Sequence, residues 1–435
     1  MKNRIPLLLL LALMSASIAI GQLPDCTTST KLVCQIPFST GAVNPTGVDP
    51  GSLAEAERVA VGFNSAIATQ ISQLPLTSSS AGSAVFYKNN VPQTYNNLGP
   101  ILTDRASTIG RHNVYLSFTA SQFFFTDIDA LNLHHIPFSY QATSNTNGVV
   151  TNIFIQETLH TSFKVNQYVV IGTYGVTKKL DLSMILPIER VSIGTSSLNP
   201  IEYLVDPTTN IGQGPFPAAV VNSTGIASGI GDIVFAGKYV VLSGERNAVS
   251  VGLNERVPTG DEQNYLGSGA WGTNPYVVFS HAARLSPHVR LGYQWNSETD
   301  LYPNTTRSGN HALPGGLQYD FGGDWAVPTS GWAKHLTLAG DLMGNQYQNA
   351  PRFYPSSTTL TYTSGTSSSS TVSVALNSIT PVNSTYWIND ISAGFKWNPY
   401  RDLIFTGNVL FQLNNVGMRV RPTPLIGVSY KFGFH

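Results

Sequence analysis

The sequence predicts an all-β protein, a transmembrane antiparallel β-barrel of about twelve strands preceded by a short helical segment. Three observations lead there. Charged residues make up only 11% of the 435-residue chain, against roughly 25% in soluble proteins, so little charge is left to coat a water-facing surface. From about residue 111 onward, apolar residues recur with a period of two, in runs long enough to cross a bilayer when tilted. The connections between those runs alternate between short and long, as in barrels whose brief turns face the periplasm and whose long loops face outward.

The N-terminus opens with Lys2 and Arg4, continues through an apolar stretch from Ile5 to Met14, and reaches small residues at Ala19 and Gly21. A basic start, an apolar run and a small-residue site describe a secretory signal peptide, residues 1–21, cleaved after Gly21. The two cysteines, Cys26 and Cys34, lie just inside the mature chain. In an oxidising compartment a pair closing so short a loop is expected as a disulfide. Residues 22–110 form an N-terminal plug or periplasmic segment. Within it, Leu53, Ala56, Ala60, Phe63, Ile67 and Ile71 fall at helical intervals, with Ser52 as a candidate N-cap and Glu55 three residues on. The expected helix covers about 52–73. Its stripe suits either a plug inside the barrel or a helix leaning on the periplasmic mouth.

The barrel itself is expected over 111–435, with strands near 111–125, 151–175, 179–193, 229–242, 247–258, 273–284, 288–298, 314–327, 332–346, 384–397, 402–414 and 421–434. An even count returns both ends to the periplasm. Fourteen strands remain open, because 151–175 is long for one strand and 199–205 is ambiguous. The alternation is plain in HVRLGYQW, where Val289, Leu291, Tyr293 and Trp295 oppose Arg290, Gly292 and Gln294. Short turns are expected at 175–179, 243–247, 285–288, 328–331 and 398–401. Trp295, Trp325, Trp387, Trp397 and Phe434 sit near strand ends, where aromatic girdles belong. Asp390 and Glu255 interrupt the alternation and read as rim positions or bulges. The Ser/Thr-rich stretch 356–378 reads as a mobile loop or a protruding hairpin.

The polar face carries Asp181, Glu189, Lys238, Arg256, Arg290, Asp320, Asp324, Asp341, Lys396 and Lys431. These are candidate lumen-lining residues, or charges that pair with one another and fill a narrow lumen. Their mixed signs argue against a strongly ion-selective pore. A formal net charge of zero excludes the clustered basic excess of a nucleic-acid binder. No G-x-S-x-G occurs and no Ser-His pair at fixed spacing stands out, so no enzyme is expected. The adjacent His134 and His135 could be a metal pair, but neighbours on a strand point to opposite faces, which favours a surface loop. No cofactor is implied.

The stretch GSGAWG places Gly267, Gly269 and Gly272 in the spacing G-x-G-x-x-G. A dinucleotide site would need a strand before it and a helix after it. Here TNPYVVFS returns to strand, so the glycines are expected to turn the backbone of an external hairpin loop.

Four stretches in order, SGIGDIVFAGKY (228–239), VPTGDEQNYLGSGAWGTNPYVVFS (257–280), LSPHVRLGYQWN (285–296) and LTLAGDLMGN (336–345), resemble the family labelled "MetA-pathway of phenol degradation", a group of outer-membrane transporters. By architecture the chain also resembles the long-chain fatty-acid transporter type of barrel. It lacks the Asn-Pro-Ala opening of that group, since its mature chain begins QLPDCTTST. The resemblance implies passive admission of small hydrophobic or aromatic solutes. The alternative is a structural or surface-binding barrel without transport. Either way the expected partners are outer-membrane lipid and the barrel-assembly machinery.

Overall fold

The computed structural model describes Cys26 and residues 29–36, 54–77, 85–88, 91–94, 97–146, 149–303, 310–328, 335–364, 370–400 and 402–433. The expected signal peptide, Ser52 and Phe434 lie outside the described residues.

Twelve antiparallel strands close into a barrel. The first half comprises β1 (Asn113–Ile128), β2 (Val149–Gly175), β3 (Leu180–Val205), β4 (Ile233–Ser243), β5 (Asn247–Val257) and β6 (Gly272–His281). The second comprises β7 (Leu285–Asn296), β8 (Gly316–Ala326), β9 (Leu336–Ser364), β10 (Ser370–Tyr400), β11 (Leu403–Gln412) and β12 (Thr423–Gly433). Closure comes from β12 pairing β1, from Leu425 opposite Ser121 to Gly433 opposite Asn113. Because the ladder returns to its start, no edge is left for lipid to leave unsatisfied. The count is twelve rather than fourteen because β2 and β3 are single strands of 27 and 26 residues. The two form one long hairpin, turning at 176–179 and still paired at Asn152 and Val205 at the other end.

The side chains point as the alternation requires, but with the burial of a soluble protein inverted. Ile426 is 67% exposed, Leu291 56%, Trp295 54% and Leu182 51%, and they belong to an apolar belt that runs round the outside. A belt that size is stable only against lipid, which places the barrel in the bacterial outer membrane. The inward positions are polar. Asp181, Ser183, Ser250, Asp324, Asp341 and Lys396 are all buried.

Several local expectations change. The β6–β7 turn falls at 282–284 rather than 285–288, because Ser286, Pro287 and His288 already pair with β8. Of the two readings of 356–378 the hairpin holds over the described residues, with β9 and β10 paired as far as Ser364 opposite Ser370. Asp390 is not a bulge: it keeps regular register with Met343, forms the last pair of the β10–β11 ladder with Gln412 and faces inward to Arg419. The alternation seemed broken there because Tyr386 and Ile388, on the same inward face, are buried apolar residues. The GSGAWG loop lies between two strands as expected, but it folds into the barrel mouth and is largely buried.

Helix α1 (Ala54–Ile71) sits at the outer mouth, not the periplasmic one. Its Phe63 ring packs 4.6 Å from that of Phe353 near the outer end of β9. Residues 72–77 after it line a cavity inside the barrel. Residues 97–109 lie against inward side chains near the periplasmic turns. Among the described residues, no helix is long and apolar enough to cross a membrane.

Candidate functional site

The N-terminal segment meets the barrel at two levels, and a cavity lies between them. The upper level is apolar. Val59, Phe63, Ile67 and Ile71 of α1 share one core with Phe123, Phe163, Val191, Ile193 and Phe353 of the wall. Cys26 and Cys34 are disulfide-bonded, and the loop they close docks beside this core. Asn64 Nδ2 donates to the Val33 carbonyl (3.2 Å), Thr195 Oγ1 to the Gln35 carbonyl (3.1 Å) and Lys31 Nζ to Asp261 (2.7 Å). Burial alone would raise the Asp261 carboxyl, but hydrogen bonds from Lys31 and Asn264 outweigh it and hold the group below its ordinary value.

The glycine loop, residues 258–271, completes the upper closure. Between β3 and its neighbours the ladder changes partner. Below, Ile185 pairs Val234 of β4; above, Ile188 pairs Ile230. Gly231 and Asp232 leave the ladder at that join, opposite Pro187, which has no N–H to offer. Asp232 turns inward and collects the Ser268 N–H (2.8 Å), the Ser268 hydroxyl (2.6 Å) and the Gly260 N–H (3.1 Å). A Cβ on Gly267 would stand 2.9 Å from the Gly260 Cα and closer still to the Asp232 carboxylate. Gly269 has φ +67°, a conformation that favours glycine. The spacing therefore serves close packing against Asp232. Tyr265, fully buried at the loop tip, donates from its hydroxyl to Asn64 Oδ1 (2.5 Å), and burial pushes its phenol up.

The floor is polar. Arg105 Nη2 contacts Asp324 Oδ2 at 2.7 Å, with the two side chains 5% and 0% exposed. His288 lies between two carboxylates, 3.4 Å from Asp324 and 2.9 Å from Asp341. Thr103 Oγ1 stands 2.6 Å from His288 Nε2 and donates to Asp341 Oδ1 at 2.9 Å. Lys238 Nζ donates to the Arg105 carbonyl (2.8 Å), Lys396 Nζ to the Pro100 carbonyl, and the Ile109 N–H to Asp181 (2.9 Å).

Between these levels lies a cavity of about 200 Å³. Leu74, Leu76, Ile185, Val234, Ala236 and Met343 give it an aliphatic side. Asn254, Asn274, Gln294, Gln318 and Asn345, from five consecutive strands, give it a carboxamide side. Arg290 bridges Asp320 (2.9 Å) and Asn274 (2.8 Å) and lies 4.5 Å from the Tyr276 ring centre. Arg256 donates to the Ser72 carbonyl (2.6 Å) and Asn296 (2.8 Å), and its Nε is 3.7 Å from Asp232.

The ten charged positions singled out in the sequence all occupy inward strand positions, but at different levels. Arg256, Arg290 and Asp320 line the cavity. Asp181, Lys238, Asp324, Asp341 and Lys396 are buried at the floor, several of them bonded directly to residues 97–109. Glu189 is buried beside Gln167 at the wall join, and Lys431 is half-buried near the periplasmic end of β12. A search for charge misses the five carboxamides, although inward parity on strands marks each of them. Arg105 and Asp232 carry no periodic signal at all. His134 stacks on His160, ring centres 4.4 Å apart, rather than acting with His135, and burial and the nearby His160 lower its imidazole. No group of three metal ligands occurs among the described residues.

Residues 141–350 match the family model described as "Putative MetA-pathway of phenol degradation". The match contains the Asp232 join, the glycine loop and the amide side from Asn254 to Asn345, so the resemblance read from the sequence holds over the cavity wall. No curated protein matches the chain in sequence. Among solved structures, an outer-membrane channel from Pseudomonas putida F1 is 12% identical with a TM-score of 0.42, over 76% of this chain and 100% of that one. A Pseudomonas aeruginosa FadL homologue is 11% identical with a TM-score of 0.33, over 83% and 99%. The CymD monoaromatic hydrocarbon channel is 9% identical with a TM-score of 0.31, over 75% and 89%.

Proposed function

We propose that the protein passively admits small hydrophobic or aromatic compounds through the outer membrane, and that the lumen cavity is where a solute rests on the way. The observation that carries this reading is the cavity itself: about 200 Å³, enclosed by a barrel, with an aliphatic side. An apolar cavity of roughly 150 Å³ accepts benzene, so one compact ring fits. The name of the matching family, phenol degradation, agrees in chemistry. In this reading residues 22–110 are a plug with two contact levels, Arg256, Arg290 and Asp320 line the passage, and the remaining candidate charges hold the plug. Binding and passage need no catalytic group and no cofactor. The Thr103–His288–Asp324 contact is then a latch, since the Thr103 proton goes to Asp341.

The buried ion pairs of the floor favour a second reading, a permanently closed barrel that binds ligands at its outer surface. Uptake of a labelled aromatic solute by vesicles with lipopolysaccharide in the outer leaflet separates the two. Transport requires faster uptake with the full-length protein than without it. Equal rates for hydrocarbon, alcohol and acid solutes alike would reject it.

A further inference from the structure

The two sides of the cavity differ in chemistry in a way that selects among the solutes a passage could take. We propose that the cavity is a binding site for uncharged compact molecules carrying one hydroxyl or carbonyl group, in preference to plain hydrocarbons and to carboxylates. This rests on the reading of the barrel as a passage and narrows its substrate class.

Three observations support it. First, the polar side carries five neutral amides beside its charged groups Asp104, Arg256, Arg290, Asp320 and Asp390. Asn254 stands opposite Asn274 in register, and Gln318 opposite Asn345. Asn274 Nδ2 donates to Gln318 Oε1 (2.8 Å), and Gln318 Nε2 to Gln73 Oε1 (3.3 Å). Carboxamides both donate and accept, so together they match a hydroxyl or carbonyl at any of several positions.

Second, this hydrogen-bonding set is incomplete. Gln73 Nε2 and Arg290 Nε are buried and have no partner among the described residues. A hydrocarbon filling the cavity would displace water and leave such donors unpaired, which is the penalty by which polar sites reject apolar analogues. A single acceptor oxygen on a ring resting against Leu76, Ile185 and Val234 would meet Gln73 instead.

Third, Arg256, Arg290, Asp320 and Asp390 beside the cavity already have counter-charges. Arg290 pairs Asp320 (2.9 Å), Asp390 pairs Arg419 (2.9 Å) and Arg256 lies 3.7 Å from Asp232. A carboxylate would have to break one of these pairs or stay unpaired inside the barrel, and buried charge is tolerated only when paired.

Gln73 belongs to the N-terminal segment, not to the wall. The segment therefore supplies part of the recognition as well as closing the lumen.

The test compares toluene, benzyl alcohol and benzoate, three probes that share a ring and differ at one substituent. Each is titrated calorimetrically into the full-length protein in lipid nanodiscs, with empty nanodiscs subtracted. Benzyl alcohol should bind at least tenfold more tightly than either of the others. Gln73→Leu should erase at least tenfold of that preference and improve toluene; Gln73→Asn, which keeps the amide, should retain part of it. Toluene or benzoate binding as tightly as benzyl alcohol to the native protein would overturn the proposal. The vesicle assay keeps this failure apart from failure of the passage reading. If all three solutes enter faster with the protein but show no preference, only the present proposal falls. If none binds and none enters, both fall.

Discussion

Replacing Asp324 with asparagine tests whether the floor holds the N-terminal segment in place. The carboxylate is fully buried, meets Arg105 at 2.7 Å and stands 3.4 Å from His288. Asparagine keeps the size but removes the charge, so Arg105 is left buried with Asn97 as its remaining side-chain partner. Two unit charges about 4 Å apart interact by about 4 kcal/mol at an effective dielectric near 20, and breaking a buried pair from one side costs about 3–5 kcal/mol. Replacing both partners by apolar residues of similar volume is often nearly neutral. Asp324→Asn should therefore lose about 3–5 kcal/mol, and Arg105→Met with Asp324→Leu markedly less.

The assay is urea unfolding in lipid vesicles, followed by tryptophan fluorescence, alongside single-channel conductance. Asp324→Asn should lower the midpoint with little change in slope and raise ionic conductance as residues 97–109 loosen. If the single and double variants lose equal stability, the uncompensated Arg105 charge is not what the single variant costs. If conductance stays at the native level as well, the floor is held by other contacts.

Three further outcomes follow. Gly267→Ala should drive the loop off Asp232, because the new Cβ has no room beside Gly260 and Asp232; overpacking costs about 1–3 kcal/mol, and faster proteolysis within 258–271 would report it. Phe63→Ala removes a 3% exposed ring packed at a tilt against Phe353 and should cost about 3–5 kcal/mol, read as a lower unfolding midpoint; a loss under about 1 kcal/mol would show that α1 is not anchored there. The Lys31–Asp261 contact should depend on pH. The folded carboxyl is held below its ordinary value, so its contribution is present above the unfolded value of about 4 and is lost as pH falls through the lower folded value. The protection of the Leu32 amide, which donates to Asn264 (3.2 Å), with exchange corrected for its intrinsic pH dependence, should hold at pH 5 and fall only below about pH 4. Loss of protection between pH 7 and 5 would contradict this.

The barrel was legible because its signal is local. A strand that separates lipid from a polar interior must alternate, and HVRLGYQW or DLIFTGNVLFQL does so without knowledge of any neighbour. The errors fall where an inward residue takes its character from the plug rather than from water. Tyr386 and Ile388 face inward yet are apolar and buried, so the alternation seems to break at Asp390. Sequence parity cannot anticipate this, because the partner lies elsewhere in the chain.

The site was legible in part for the same reason. Charges stand out in a chain this poor in them, and Arg256, Arg290 and Asp320 do reach the cavity. Which charges would meet the cavity and which the floor depends on the path of residues 72–109, a stretch without periodicity. Asn254, Asn274 and Gln318 look like ordinary polar strand residues until neighbouring strands bring them to one level. The glycine loop shows the limit most clearly. G-x-G-x-x-G marks a place where backbone must approach something closely, and spacing alone does not name it. In a dinucleotide site it is a phosphate. Here it is Asp232, a carboxylate of the same chain, which takes the Gly260 and Ser268 N–H groups much as an anion would.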